Sequence, residues 1–222
     1  MRPIVLFDLD DTLYHERDYQ HSGWRAVAAE AASRGFLEAD DAYNLMCHAP
    51  DAFDALHARC PDFPISDMVE IYRGHFPDIG LSDDVRNLLQ RFRDNGYGTG
   101  IITDGRSIGQ RNKIKALGLD KLVDYISISE EINANKHSDK PFVEAMRHFG
   151  EKNVYIYVGD NPAKDFRQPN GLGWHTVMLR EEQDNMNIHS QQLKGLPSES
   201  MPDLIIGDLK EMESLVPRIC PL

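Results

Sequence analysis

The chain has 222 residues, enough for one large domain or for a core with a modest insertion. Hydrophobic residues make up 41% and charged residues 27%, and the formal net charge of −12 leaves no basic excess with which to hold nucleic acid or an anionic membrane surface. Three widely spaced cysteines, Cys47, Cys60 and Cys220, form no CxxC pair, which argues against a zinc site or a disulfide framework and for free thiols in a reducing compartment. No apolar stretch approaches a membrane-spanning length, and Asp8 breaks the first one too early for a secretory signal, so the expectation is a cytoplasmic protein.

In chain order, the first predicted element is a strand, IVLF (4–7), which runs into three aspartates within four positions, Asp8, Asp10 and Asp11. From residue 14 to about 81 no strand is predicted; four helical stretches follow one another, GWRAVAAEAASRG, DDAYNLMCHA, DAFDALHARC and SDMVEIYRGHF, closed by the breaker PDIGLS. A helix then starts at Ser82 as N-cap and stops at Gly96. After it, strands TGIIT (99–103), YISIS (125–129), VYIYVG (154–159), TVML (176–179) and DLIIG (203–207) alternate with helices in RSIGQRNKIKALGL, KPFVEAMRHFG and LKEMESLV. The strands are β-branched and nearly continuous in their apolar character, the pattern of a parallel sheet covered on both faces. Residues 181–201 are polar and irregular and read as a surface loop. Strand–helix alternation makes this an α/β fold with an inserted helical segment.

Chemistry-bearing residues collect where strands end. Asp8 and Asp10, two apart, can face one site as the chain leaves the sheet, and two close carboxylates call for a compensating cation, for which a hard ion such as Mg²⁺ is suited. Taken alone, the cluster reads equally as a solvated turn; an EF-hand is excluded, since Leu13 stands where glycine is needed and Tyr19 where glutamate is. In IITDGR (101–106), the Thr103 hydroxyl and the freed backbone N–H groups of the turn at Asp104 and Gly105 can hold a phosphate, although the segment by itself is an ordinary strand–turn. VGDNPAKD (158–165) places Asp160 at another strand end and Asp165 five positions on, in what would otherwise be a turn and a helix cap. Either Lys136 or Lys140 can supply a point charge to a phosphoryl oxygen. Parallel strands bring their carboxyl ends to one edge, so these features converge.

Together, and in this order, they resemble the haloacid dehalogenase (HAD) superfamily over nearly the whole chain. DLDDT (8–12) is similar to its first motif, Thr103 to its second and VGDNPAKD to its fourth. The third is a lysine before a helix; the family spacing favours Lys136, with Phe142 six positions later, although His137 and Asp139 stand where the family has prolines. The resemblance implies a three-layer Rossmann-like core with a parallel sheet over residues 1–13 and 82–222, and an α-helical bundle cap over 14–81 of the phosphoglycolate-phosphatase-like class. It further implies an Mg²⁺-dependent phosphatase for a small phosphorylated metabolite, working as a monomer or homodimer. In that scheme Asp8 is the nucleophile, Asp10 the acid/base, and Thr103 and Lys136 hold the phosphoryl group. Asp8, Asp10 (through its carbonyl), Asp160 and Asp165 serve the metal, and Asp104, Gly105 and Arg106 border the phosphate. Dehalogenases lack an aspartate at the position of Asp10, which sets that activity aside. A phosphomutase of the β-phosphoglucomutase type would use the same motifs, and a catalytically silent binding protein would ordinarily have lost one of them. Tyr14, His15, Glu16 and Arg17 fall at the hinge of the insertion; Trp24 and Arg25 read first as cap core and solvated face.

Overall fold

The computed structural model describes residues 1–180 and 189–221. In chain order its elements are β1 (Pro3–Phe7), α1 (Glu16–Ser33), α2 (Ala39–His48), α3 (Ala52–Arg59), α4 (Ile65–Gly74), α5 (Asp83–Asp94), β2 (Gly98–Thr103), α6 (Ser107–Ala116), β3 (Tyr125–Ile128), α7 (Ser129–Ile132), α8 (Lys140–Phe149), β4 (Val154–Gly159), α9 (Arg167–Gly171), β5 (His175–Leu179), β6 (Leu204–Ile206) and α10 (Met212–Ile219). The strands form one parallel sheet in the order β3-β2-β1-β4-β5-β6. Chain direction across the sheet reverses at β1, which pairs with β2 on one side and β4 on the other. A crevice for ligands is expected at the carboxyl ends of such a pair of strands.

Each face of the sheet has its own core. Alternate residues of β1 serve opposite faces: Val5 and Phe7 join Leu88, Phe92, Ile114 and Val216 on one side. Ile4 and Leu6 meet Phe142, Tyr157, Phe166 and Trp174 on the other. All are buried, which is why the sequence shows unbroken apolar runs rather than alternation. The helices of the first face are α5, α6 and α10, and those of the second are α8 and α9, giving three layers. Helix α5 begins as expected: the Ser82 hydroxyl accepts the Val85 N–H.

The segment between β1 and α5 is helical throughout its regular part. Helices α1 to α4 enclose a separate apolar cluster that includes Val27, Ala31, Met46, Leu56, Phe63 and Met68. Trp24 packs against this cluster, and the Arg25 guanidinium lies 4.8 Å from the Tyr43 ring centroid, so both side chains are engaged within the helical segment. Helix α4 also packs on α6, tying the insertion to the core. Of the stretch read as a loop at 181–201, residues 181–188 lie outside the described residues; the remainder forms 3₁₀ turns at Ser190–Gly195 and Ser198–Ser200. Among the described residues no helix is long and apolar enough to cross a membrane.

Strand β2 carries a tight packing constraint against both of its neighbours. A Cβ on Gly100 would stand 2.6 Å from Leu6 Cδ2 and 2.8 Å from the Tyr125 carbonyl oxygen. The backbone oxygen cannot rotate away, so even a methyl group must push β3 from β2. Gly100→Ala should therefore lower stability by about 1–3 kcal/mol, read as a lower urea midpoint at an unchanged slope.

Candidate active site

The chain leaves β1 in a tight turn built to separate neighbouring aspartates. The Asp8 N–H donates to the Val158 carbonyl (2.8 Å), continuing the β1–β4 ladder by one residue, and the Leu13 N–H closes the turn on the Leu9 carbonyl (3.0 Å). Leu9 and Leu13 are buried and anchor it. Asp11 adopts φ 53°, a left-handed conformation that aspartate tolerates better than most residues. Its Oδ1 accepts the Glu16 N–H (2.9 Å) at the start of α1, so the third aspartate of the cluster ties the insertion to the turn.

Lys136 lies at the centre of the site. Its ammonium reaches Asp8 Oδ1 (2.6 Å) and Asp165 Oδ1 (2.8 Å), and all three side chains are almost wholly buried. Burial disfavours the ammonium, but Asp165 and Asp8 outweigh it and hold the lysine pKa well above its usual value. The Lys136 N–H points at the Asp104 carboxylate (3.2 Å to Oδ1), which seats the loop before α8. Lys140, by contrast, is exposed and donates to the Ile132 carbonyl. Of the two candidate lysines, the one inside the cluster is Lys136.

Asp165 is held twice, its Oδ2 accepting the Asn161 N–H (2.9 Å). A Cβ on Gly159 would lie 2.5 Å from that same Oδ2, so glycine is required here for the carboxylate to come under the end of β4. Asp160 completes the group: ligating oxygens of Asp8, Asp160 and Asp165 all lie within 4.8 Å of one another. Burial, reinforced by Asp8 and Asp165, pushes the Asp160 pKa up to about 9. Three buried carboxylates gather there with Lys136 paired to two of them, and oxygen-only donors at this spacing suit a hard divalent cation.

Asp10 faces elsewhere. Its carboxylate receives the Lys113 ammonium (2.7 Å) and the Tyr14 hydroxyl on Oδ1, and the Gln110 amide (3.0 Å) on Oδ2. Burial works against its charge, yet Lys113, Tyr14 and Gln110 hold its pKa below the ordinary carboxylate value. The same Gln110 amide donates to Thr103 Oγ1 (2.6 Å) and to the Asp104 carbonyl (3.3 Å). Thr103 is buried at the end of β2. The Gly105 N–H is taken by Ser129 Oγ (2.9 Å), and Arg106 is exposed ahead of α6, so neither joins the acidic group.

Sequence reading brought Asp8, Thr103, Lys136, Asp160 and Asp165 to one place and left four neighbours unnoticed. Gln110 and Lys113 looked like the polar face of α6. Lys164, inside VGDNPAKD, is another: against burial, Asp8 raises its pKa, followed by Asp165 and Asp160. His189 Nε2 lies 3.6 Å from Asp160 Oδ2, from within the polar stretch 181–201, where nothing in the sequence marks it. A cavity of about 520 Å³ opens behind the hinge, between Asp11, Thr12 and Tyr14 on one side and Asp84, Arg180 and Asp208 on the other; Asp8 and Asp10 do not border it.

Comparison with known proteins follows the same lines. Glyceraldehyde 3-phosphate phosphatase of Methanopyrus kandleri is 29% identical over 233 aligned positions, covering 97% of each chain. Among solved structures, the HAD-hydrolase YfnB from Bacillus subtilis, bound to magnesium, superposes with a TM-score of 0.65 at 16% identity over 97% of this chain and 98% of the other. A 2-haloacid dehalogenase from Pseudomonas syringae gives 0.65 at 19% identity over 98% and 99%; at these identities the two structures speak for the fold alone. The profile described as haloacid dehalogenase-like hydrolase matches residues 5–179, from the strand that carries Asp8 through β5, and the chain belongs to that family.

Proposed function

We propose that this protein is an Mg²⁺-dependent phosphatase that hydrolyses a small phosphate monoester through an aspartyl-phosphate. One observation carries the reading: the chain separates two neighbouring aspartates into different electrostatic settings, Asp8 against Lys136 and Asp10 against Lys113. A nucleophile and an acid/base need such a division of labour. Asp8, with Oδ1 on Lys136, has Oδ2 as the oxygen to attack phosphorus. The electron pair of the breaking P–O bond moves to the leaving oxygen, which takes a proton from Asp10 once Asp10 has been protonated; the anionic ester bound beside it favours that protonation against the pull of Lys113. Asp10 then draws a proton from water, the hydroxyl adds to phosphorus, and the acyl-phosphate bond breaks to return the Asp8 carboxylate and release phosphate. Thr103 and Lys136 hold phosphoryl oxygens through this exchange. Asp8, Asp160 and the Asp10 carbonyl are the oxygens assigned to Mg²⁺, with Asp165 behind them; the chemistry the ion supplies when bound is to offset the charge shared by carboxylate and phosphate.

The insertion at 14–81 acts in this scheme as a cap that selects the leaving group, and the residues 1–13 and 82–222 form the catalytic core. The name of the Methanopyrus relative makes a short sugar phosphate such as glyceraldehyde 3-phosphate the first substrate to test. Glu16, first residue of α1, is the cap residue we place over the site. Burial, then the charge of Asp10, push its pKa up to about 7.

With p-nitrophenyl phosphate, turnover should require Mg²⁺ and vanish in EDTA, and Asp8→Asn should reduce it by about three orders of magnitude or more while circular dichroism stays unchanged. Wild-type protein with no Mg²⁺-dependent release of phosphate from any monoester would sink the proposal.

Metal binding should be visible without turnover. Mg²⁺ should raise the melting temperature of the wild type, since a ligand that binds only the folded state stabilises it, and Asp160→Asn should abolish most of the rise.

Glu16 gives a pH signature. A carboxyl whose folded pKa lies above its ordinary value of 4.5 keeps its proton in the folded state while the unfolded chain has lost it, so stability falls as pH rises from about 4.5 to about 7. Glu16→Gln removes that loss. The variant should match the wild type near pH 4 and melt a few degrees higher at pH 8 in EDTA; parallel melting curves at both pH values would contradict the assignment.

A further inference from the structure

We propose that Lys113 is a positioning residue for the proton transfer by Asp10, an inference that rests on the phosphatase reading and refines it. Four observations converge on it. Lys113 projects from α6, one turn beyond Gln110, and its side chain is 6% exposed, an uncommon situation for a lysine without a task. Its ammonium is fixed from two directions, by Asp10 Oδ1 at 2.7 Å and by the face of the Tyr19 ring at 4.2 Å from the centroid. Helix α6 is itself clamped, because the Asn112 amide donates to the His75 carbonyl (3.0 Å) and the Gly74 carbonyl (3.3 Å). Finally, the donors on Asp10 are unequal. Among the described residues, Lys113 and Tyr14 both donate to Oδ1, whereas Oδ2 receives Gln110 alone.

That inequality assigns the two oxygens. Oδ1, with two strong donors, is the anchored end of the carboxyl. Oδ2, with a lone pair to spare, is the end that exchanges a proton with the leaving oxygen and then with water. The proton passes from Asp10 to the leaving oxygen as the P–O electron pair arrives there, so no other reactant is involved. Gln110 links the same oxygen to Thr103, which keeps the acid in register with the residue that holds the phosphoryl group. Lys113 touches neither phosphorus nor the leaving group in this scheme; it acts by keeping the Asp10 plane turned toward them.

The test uses the chemical difference between two leaving groups. p-Nitrophenolate departs without being protonated, whereas the alkoxide of glycerol 3-phosphate must receive a proton. Lys113→Met, measured on both substrates with Mg²⁺ in one preparation, should lose at least ~10-fold more kcat/KM on glycerol 3-phosphate than on p-nitrophenyl phosphate, because kcat/KM reports the step in which the leaving group departs and acid assistance there is worth far more to the poorer leaving group. Taking the ratio within one preparation cancels any fraction of unfolded enzyme. Lys113→Arg, which keeps the cation on a different frame, should fall between wild type and Lys113→Met in that ratio. Equal losses on the two substrates, or no loss, in an enzyme whose wild type is active would overturn the role of Lys113 and leave the phosphatase reading standing. A wild type inactive on both would overturn the two together.

Discussion

One buried ammonium holds this site together. Lys136 neutralises Asp8 and Asp165 at once, at 2.6 and 2.8 Å, in a place where all three are almost wholly buried. Removing one member of a buried pair characteristically costs about 3–5 kcal/mol, because the partner keeps its charge and loses its compensation. Here two partners would be stranded. The position is correspondingly over-determined: the Lys136 backbone is fixed by Asp104, Asp165 by the Asn161 N–H, and the Tyr157 ring lies 5.6 Å beneath the ammonium. Even so one carboxylate is left poorly compensated: burial first, then the charges of Asp8 and Asp165, push the Asp160 pKa up to about 9.

The acidity of the whole chain gives way locally to lysines. At a net charge of −12, the protein would repel an anionic substrate from a distance. Lys113, Lys136 and Lys164 offset this in part around Asp8 and Asp10. They follow β2, β3 and β4, and the parallel sheet brings them to the aspartates at the end of β1 because β3, β2, β1 and β4 lie side by side. The fold thus performs an electrostatic task that no continuous segment could.

The sequence was most legible where the physics is repetitive. All six strands were found from apolar runs, because burial on both faces leaves little choice of residue, and the four helices between β1 and α5 followed from their composition. Strand ends drifted by a residue, as at Ile128, where the chain turns directly into α7. Asp8, Asp160 and Asp165 were legible because they stand at or just past the ends of apolar strands in segments that resemble the family's motifs, and Lys136 was favoured over Lys140 by that resemblance. Gln110 and Lys113 were not, since a polar residue in an amphipathic helix ordinarily faces solvent, and only their recurrence at the spacing of buried Ile114 and Leu117 hinted that this face turns inward. Asp11 was seen as one more charge in a cluster; that it would cap α1 depended on a left-handed turn that local sequence permits but does not dictate. His189 reaches Asp160 from a distant, irregular stretch and offered no periodicity to follow.

Helix α6 belongs by chain order to the core, yet its Asn112 grips the carbonyls that end α4 and its Lys113 lies against Tyr19 of α1. This dual membership bears on how new specificities are acquired. Recombination that exchanged only the segment between β1 and α5 for that of a homologue would import surfaces mismatched to Asn112 and Lys113. A successful chimera has to carry a complementary α6 along with its helical insertion, so the two must evolve as a linked module even though some thirty residues of unrelated sequence separate α4 from α6.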